Sequence, residues 1–288
     1  YGIIPKKELD YLMSERLKKI PRSVPLFDYD ITDAQKMDEL FEHFKFDTVL
    51  HLASFPRQKV VNANPVLGSK VMSEGLINLL ETAKKYKVSK FVYASSSMVY
   101  GDFEDDVNED YPCNPIGQYG ILKLAGEWLV KDYARRTGMH YTVIRPSAVY
   151  GPLDVEDRVI SKFVSTAIRG GTLKVKGVNE LLDFTYVEDA ADGIASAVEL
   201  DIANNKTYNI TKGSSHTLLQ AAELAVKLAG RGQIVVEPKD QDFPSRGALN
   251  IDAARNDFGF DPKVDVAEGF QIYYDWLKND HYFGVDKH

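Results

Sequence analysis

The chain has 288 residues, 44% hydrophobic and 27% charged, with a formal net charge of −7. That is enough material for one large domain or two closely joined ones. The acidic balance, with an isoelectric point near 5.5, disfavours a nucleic-acid binder, and no apolar run reaches the ~18 residues that a membrane span needs. With the single cysteine, Cys113, neither an internal disulfide nor a thiolate metal site can form. A cytoplasmic protein with no metal, no membrane and no nucleic-acid partner is expected.

In chain order, residues 24–27, 46–53, 91–94 and 141–144 are short apolar runs with the β-branched and aromatic bias of buried strands. Helical patterns lie between them. Thr32-Asp33-Ala34-Gln35 has the form of a capping box and opens a segment with Met37, Leu40, Phe41 and Phe44 on one face. Residues 66–86 place Met72, Leu76, Leu79, Leu80 and Ala83 at helical spacing. Residues 119–134 do the same with Leu122, Ala125, Trp128 and Leu129. Strands alternating with helices predict a parallel sheet covered on both faces, because parallel neighbours need a crossover. Ligands in such sheets bind beyond the carboxyl ends of the strands, here after Ala53, Ala94 and Ile144.

Beyond Gly151 the rhythm changes. Residues 152–182 form a long connection with one helical stretch at 160–168 and a Gly170-Gly171 break. Residues 185–187 and 207–210 read as strands, and Thr217-Leu218-Leu219-Gln220 is a second capping box opening a helix to Ala229. Residues 1–151 with 184–211 are expected to form the sheet domain, and 152–183 with 212–280 a smaller lobe.

Tyr119 and Lys123 are four residues apart, on one face of a helix. A phenol is a poor base at neutral pH, and a nearby cation favours its ionised form. Ser95-Ser96-Ser97 follows a strand expected to end near Ala94, which puts a hydroxyl at the ligand edge of the sheet.

Five ordered segments carry a family resemblance: Val49-Leu50-His51-Leu52-Ala53; Ser95-Ser96-Ser97-Met98-Val99-Tyr100-Gly101; Pro115 with Tyr119 and Lys123; Arg145-Pro146-Ser147-Ala148-Val149-Tyr150-Gly151-Pro152; and Asp183-Phe184-Thr185-Tyr186-Val187-Glu188-Asp189. Together, over residues 28–277, they resemble the extended short-chain dehydrogenase/reductase family, particularly its NAD-dependent nucleotide-sugar epimerases and dehydratases. The resemblance implies a Rossmann-like, doubly wound α/β fold with a smaller C-terminal substrate lobe, NAD as cofactor, a nucleotide-sugar substrate and a homodimer. It implies that Tyr119 takes a proton from a sugar hydroxyl, Lys123 binds the nicotinamide ribose and acidifies the tyrosine, and Ser96 hydrogen-bonds the reacting oxygen. Asp30 and Ile31 would meet the adenine end of the cofactor. Leu52, Ala53, Ser54, Ala94 and Pro146 would line its groove, which His51 would support. Ser96, Ser97, Met98, Ala148, Arg158 and Arg246 would face the substrate. Lys162, Arg57 and Lys59 are further candidates.

The chain departs from the family pattern in three places. Gly2 is the only glycine before Gly68, so the glycine-rich turn that holds a dinucleotide pyrophosphate is not in this sequence. Because the first residue is Tyr1 and the catalytic motifs are intact, a preceding segment is expected to supply it. Ser97 and Met98 occupy the positions where sugar dehydratases of the family carry an acidic pair, which disfavours elimination. Ala148 and Leu182 replace a customary Asn and Arg of the substrate site. The expected activity is 4-epimerisation of a UDP-sugar through a transient keto intermediate. The alternatives are a keto-sugar reductase or dehydratase of the same family, or a non-catalytic nucleotide-sugar-binding protein.

Overall fold

The computed structural model describes residues 4–280 and 282–283. Its centre is a parallel four-stranded sheet of β1 (Thr48–His51), β2 (Lys90–Ala94), β3 (His140–Pro146) and β4 (Lys206–Ile210), in that spatial order. The register aligns Val49 with Phe91, Phe91 with Tyr141, and Ile144 with Tyr208.

Side chains alternate along each strand, so the sheet buries two faces. On one, Phe91 and Tyr93 pack beneath α1 (Ala34–Phe44), α2 (Leu76–Lys85) and α3 (Gln118–Thr137), meeting Phe41, Leu80 and Val130. On the other, Ala94, Ile144 and Ile210 pack against Ala197 of α4 (Val187–Glu199) and Ala254 of α5 (Asp252–Phe258). The doubly wound α/β class is thus as expected.

A second core is centred on α6 (Val159–Ile168), α7 (Leu218–Ala229) and α8 (Val266–Asn279), where Phe163, Ala222 and Phe270 are buried together. Two small sheets join it: Thr172–Lys176 parallel to Gln233–Glu237, and Leu181–Asp183 antiparallel to Ser215–Thr217. The helix Lys6–Lys18 also packs here, through Leu12. Thr217 and Gln220 form the expected reciprocal capping box.

Several expected elements differ. Residues 24–27 form no strand, and Val24, Leu26 and Phe27 are exposed. Strand propensity requires a hydrogen-bonding neighbour, and β1 is the sheet edge among the described residues. The helix α1 is capped by Asp33, whose carboxylate accepts from Lys36 N, and not by Thr32, whose hydroxyl instead bonds Asp30. Residues 66–86 are not one regular helix: Pro65–Ser69 runs into a π-helical turn at Lys70–Gly75 before α2 begins. That wider turn interrupts the phase of the apolar face, and at its end a methyl added to Gly75 would stand 2.7 Å from the Ile31 side chain. Residues 185–187 make only a bridge between Tyr150 and Tyr186, because Val187 already opens α4.

Candidate active site

The carboxyl ends of β2 and β3, the start of α3 and the α6 side of the second core surround one cavity of about 410 Å³, a size suited to a small-molecule ligand. Ser96, Ser97, Met98, Tyr119, Pro146, Ala148, Arg158 and Arg246 all line it, so the expected substrate-facing residues come together there. Lys162 does not line it.

After β2 the chain turns sharply. Ser96 has extended backbone, and its hydroxyl accepts a hydrogen bond from Met98 N at 3.2 Å, capping the short 3₁₀ turn Ser97–Val99. The helix α3 presses directly on this turn: a methyl added at Gly120 would lie 2.6 Å from the Met98 carbonyl oxygen. Only glycine permits that approach, which delivers Tyr119 to Ser96. One turn on, Lys123 is 4% exposed, and its ammonium donates to the Ala94 carbonyl at 2.7 Å. The ammonium also lies 5.3 Å from the Tyr93 ring centroid and 5.8 Å from that of Tyr119.

Desolvation sets the protonation here. It pulls Lys123 down to about 8, with Glu127 opposing the shift. It raises Tyr119 above its usual range, while hydrogen bonding to Ser96 and the charge of Arg158 work the other way. At neutral pH the tyrosine is a phenol beside a cationic lysine. Burial drives His51 down to about 3, with the Lys123 charge adding to the effect. A neutral imidazole stacked near Tyr93 supports the strand end and is no proton carrier in the physiological range.

The outer half of the cavity is cationic. Arg158 donates to the Val149 carbonyl at 2.7 Å and pairs with Asp154 at 3.2 Å. Arg246 has a buried Nε with no hydrogen-bond partner. Desolvation lowers Arg246 to about 10, the like charge of Arg158 adds to that, and Glu180 opposes it. Two guanidiniums facing one space, one with an unused buried donor, suit an anion with several oxygens. Arg57 and Lys59 line the cavity as well, and both pair with Asp157, at 3.2 and 2.9 Å. Arg57, with φ 74°, and Ala148, with φ 35°, hold left-handed backbone at the rim, a strain that clusters at ligand sites.

Ser97 donates its hydroxyl to Ser147 at 3.2 Å, so part of its polar capacity is spent inside the protein. The sequence did not single out Gln58, Asp154, Asp157 or Phe243, which also line the cavity. Asp154, Asp157 and Phe243 lie in loops and Gln58 opens the short helix Gln58–Ala63; tertiary packing sets their place, and no local pattern marks them.

The expected cofactor residues divide into two groups. Ala94, Tyr119, Lys123 and Pro146 gather at the inner end. Lys123 has more N–H donors than the one that Ala94 uses, which suits the hydroxyls of a ribose. Asp30, Leu52 and Ala53 are exposed, the latter two directly after β1, and Ile31 and Ser54 are half-buried. The Asp30 carboxylate accepts from the backbone and hydroxyl of Thr32, which lowers its pKa, and Lys70 assists. The described strands run in one order without a reversal, so the crevice that cradles a dinucleotide pyrophosphate is not built from them. Among the described residues, the inner group therefore lies at a sheet whose β1 edge is open.

Comparison with known proteins places the chain in a family. The family model described as "NAD dependent epimerase/dehydratase family" matches residues 8–211. A putative UDP-glucose 4-epimerase of Methanocaldococcus jannaschii is 30% identical over 278 residues, covering 94% of this chain and 90% of the relative. The crystal structure of UDP-glucose 4-epimerase with UDP-glucose from Thermotoga maritima superposes with a TM-score of 0.86 at 25% identity, covering 94% of each chain. That of Thermus thermophilus UDP-glucose 4-epimerase in complex with NAD gives 0.83 at 25% identity, again over 94% of each. The chain therefore belongs to the NAD-dependent epimerase/dehydratase family, with NAD as its cofactor.

Proposed function

We propose that the protein is a UDP-sugar 4-epimerase, inverting one sugar carbon through a transient ketone. The observation that carries this reading is that Ser96 and Tyr119, with the buried Lys123 one turn behind, share a cavity with Arg158 and Arg246. Tyr119 takes the proton of the 4-hydroxyl and later returns one to the same oxygen. Ser96 holds that oxygen by a hydrogen bond. Lys123 keeps a positive charge beneath the phenol, favouring phenolate at the moment of transfer. NAD, when bound, supplies reversible hydride acceptance at the sugar carbon. Arg158 and Arg246 hold the diphosphate, leaving the sugar free to present either face.

Ser97 and Met98 offer no carboxyl group beside Ser96, which argues against water elimination. A keto-sugar reductase uses the same Tyr119 and Lys123 and is the second reading, favoured by the apolar Ala148 and Leu182 in the cavity wall. Cofactor balance separates the two, because epimerisation leaves NAD unchanged whereas reduction consumes one reduced cofactor per product.

Residues 152–183 with 212–280 would be the part that recognises the nucleotide. A homodimer belongs to the same proposal. Ile121 and Trp128 of α3 and Ile77 of α2 are exposed, Trp128 at 66%, and a second copy would cover them. Sedimentation of Trp128→Glu against the parent tests this. A parent of monomer mass would contradict it.

A further inference from the structure

Behind the reacting groups lies a buried ionic cluster that the proposed chemistry does not use. Glu127, one helical turn beyond Lys123, is 1% exposed, and Arg145 on β3 is 4% exposed. They form a two-point pair, with Arg145 Nη2 to Glu127 Oε2 at 2.7 Å and Arg145 Nε to Glu127 Oε1 at 2.9 Å. The hydroxyl of Ser95 donates to the same Oε1 at 2.5 Å. Arg145 Nη1 continues outward to the Tyr100 hydroxyl and the Glu109 carbonyl, and Tyr100 in turn donates to Asn209 on β4.

A buried ion pair adds little net stability, because desolvation offsets most of the attraction. Its position is therefore informative. Ser95 sits between Ala94, whose carbonyl receives Lys123, and Ser96, whose hydroxyl meets Tyr119. All three helix residues, Tyr119, Lys123 and Glu127, share one stripe of α3. The carboxylate ties the middle residue of the strand-end turn to the helix that carries the acid–base pair.

We infer that Glu127 is a positioning residue for the reaction: through Ser95 it fixes the turn that presents the Ala94 carbonyl and the Ser96 hydroxyl, and its charge holds the Lys123 ammonium. The inference rests on the epimerase reading for its kinetic consequences, but not for its electrostatic ones. Lys123 is faced by Tyr93 from β2, His51 from β1, and Tyr119 and Glu127 from its own helix. Among these, Glu127 is the carboxylate, and it opposes the desolvation that would discharge the lysine. Glu127 is faced by Ser95, by Arg145 from β3 and by Lys131 at 3.9 Å, with Tyr93, Tyr141 and Cys113 within electrostatic range.

The test uses Glu127→Gln and Ser95→Ala, each checked for folding by circular dichroism. NMR titration of ε-¹³C-lysine-labelled protein, with Lys123→Met assigning the signal, should show Lys123 in Glu127→Gln losing its proton about one pH unit lower than in the parent. An unmoved titration overturns the electrostatic role, and this readout needs no turnover. In UDP-sugar interconversion, Ser95→Ala should lower kcat about tenfold with KM within about twofold and the alkaline limb in place. Parent-like turnover of Ser95→Ala overturns the positioning role. If Glu127→Gln fails to fold, Ser95→Ala decides alone. A parent that inverts no UDP-sugar overturns the epimerase reading instead, and the titration still judges Glu127.

Discussion

Gly120 lies so close beneath Met98 that a methyl group on it would stand 2.6 Å from the Met98 carbonyl oxygen. This contact sets how near α3 comes to the turn after β2, and hence how near Tyr119 comes to Ser96. Gly120→Ala should force the two apart, lowering kcat at least tenfold and costing roughly 1–3 kcal/mol of stability from overpacking. Kinetics together with urea unfolding check this. Unchanged turnover would show that the approach is not required.

Tyr119→Phe removes the proposed proton carrier and leaves the ring. Turnover should fall by about 10²–10⁴, with substrate KM changed only severalfold. Binding without turnover, followed by calorimetry with the UDP-sugar, separates the lost proton transfer from lost affinity.

The Lys123 ammonium is pulled down to about 8 by burial. The lysine must be charged to acidify Tyr119, so kcat should fall as pH rises through about 8. In Lys123→Met that alkaline limb should vanish, together with most of the activity. A pH–rate profile of both proteins measures it, with His51 expected to contribute no limb near neutrality because burial keeps its imidazole neutral down to about 3.

Arg246 lines the cavity, and its buried Nε has no hydrogen-bond partner. Arg246→Met should raise KM for the UDP-sugar about tenfold or more, with kcat within a few-fold, as expected for lost ground-state binding. An unchanged KM would remove this residue from the substrate site.

Asp183 is fully buried, and its Oδ2 accepts from Gly213 N and Leu249 N, both at 3.1 Å. Burial raises its pKa to about 6, against the pull of those hydrogen bonds. A carboxyl group raised above its unfolded value binds its proton more tightly in the native state. It therefore lowers stability as pH climbs from about 4 to about 6. Asn at this position keeps an oxygen acceptor without the charge. The stability of Asp183→Asn relative to the parent should accordingly increase by roughly 2–3 kcal/mol between pH 4 and pH 7, the free-energy equivalent of a roughly hundredfold tighter hold on the proton in the native state. Denaturant unfolding at the two pH values checks it.

At the inner end of the site, the elements that carry the candidate residues were legible from local rules, while the roles expected of those residues came from the family resemblance. The spacing of Tyr119 and Lys123 places them on one helical face, and Ser96 follows a run with the length and bias of a buried strand. Arg57 and Lys59 look like solvated loop residues in the sequence, yet both reach the cavity through Asp157, about a hundred residues away. Glu127 gave no signal either, since a charged residue on a helix is ordinarily a surface one, and Arg145 on β3 is legible only as part of a longer motif. The run at 24–27 misled in the opposite direction. Its apolar side chains satisfy strand propensity, but a strand is defined by its neighbour, and none of the described strands takes up its backbone.

The central claim is tested most directly by incubating the protein with NAD and, separately, UDP-glucose, UDP-N-acetylglucosamine and UDP-glucuronate in D₂O, and following the sugar C4 by ¹H NMR. A UDP-sugar 4-epimerase will invert C4 of at least one of them, with the C4 hydrogen retained and no net reduced cofactor. No inversion of any of the three, together with stoichiometric cofactor consumption on a keto sugar, would contradict the claim and identify a reductase.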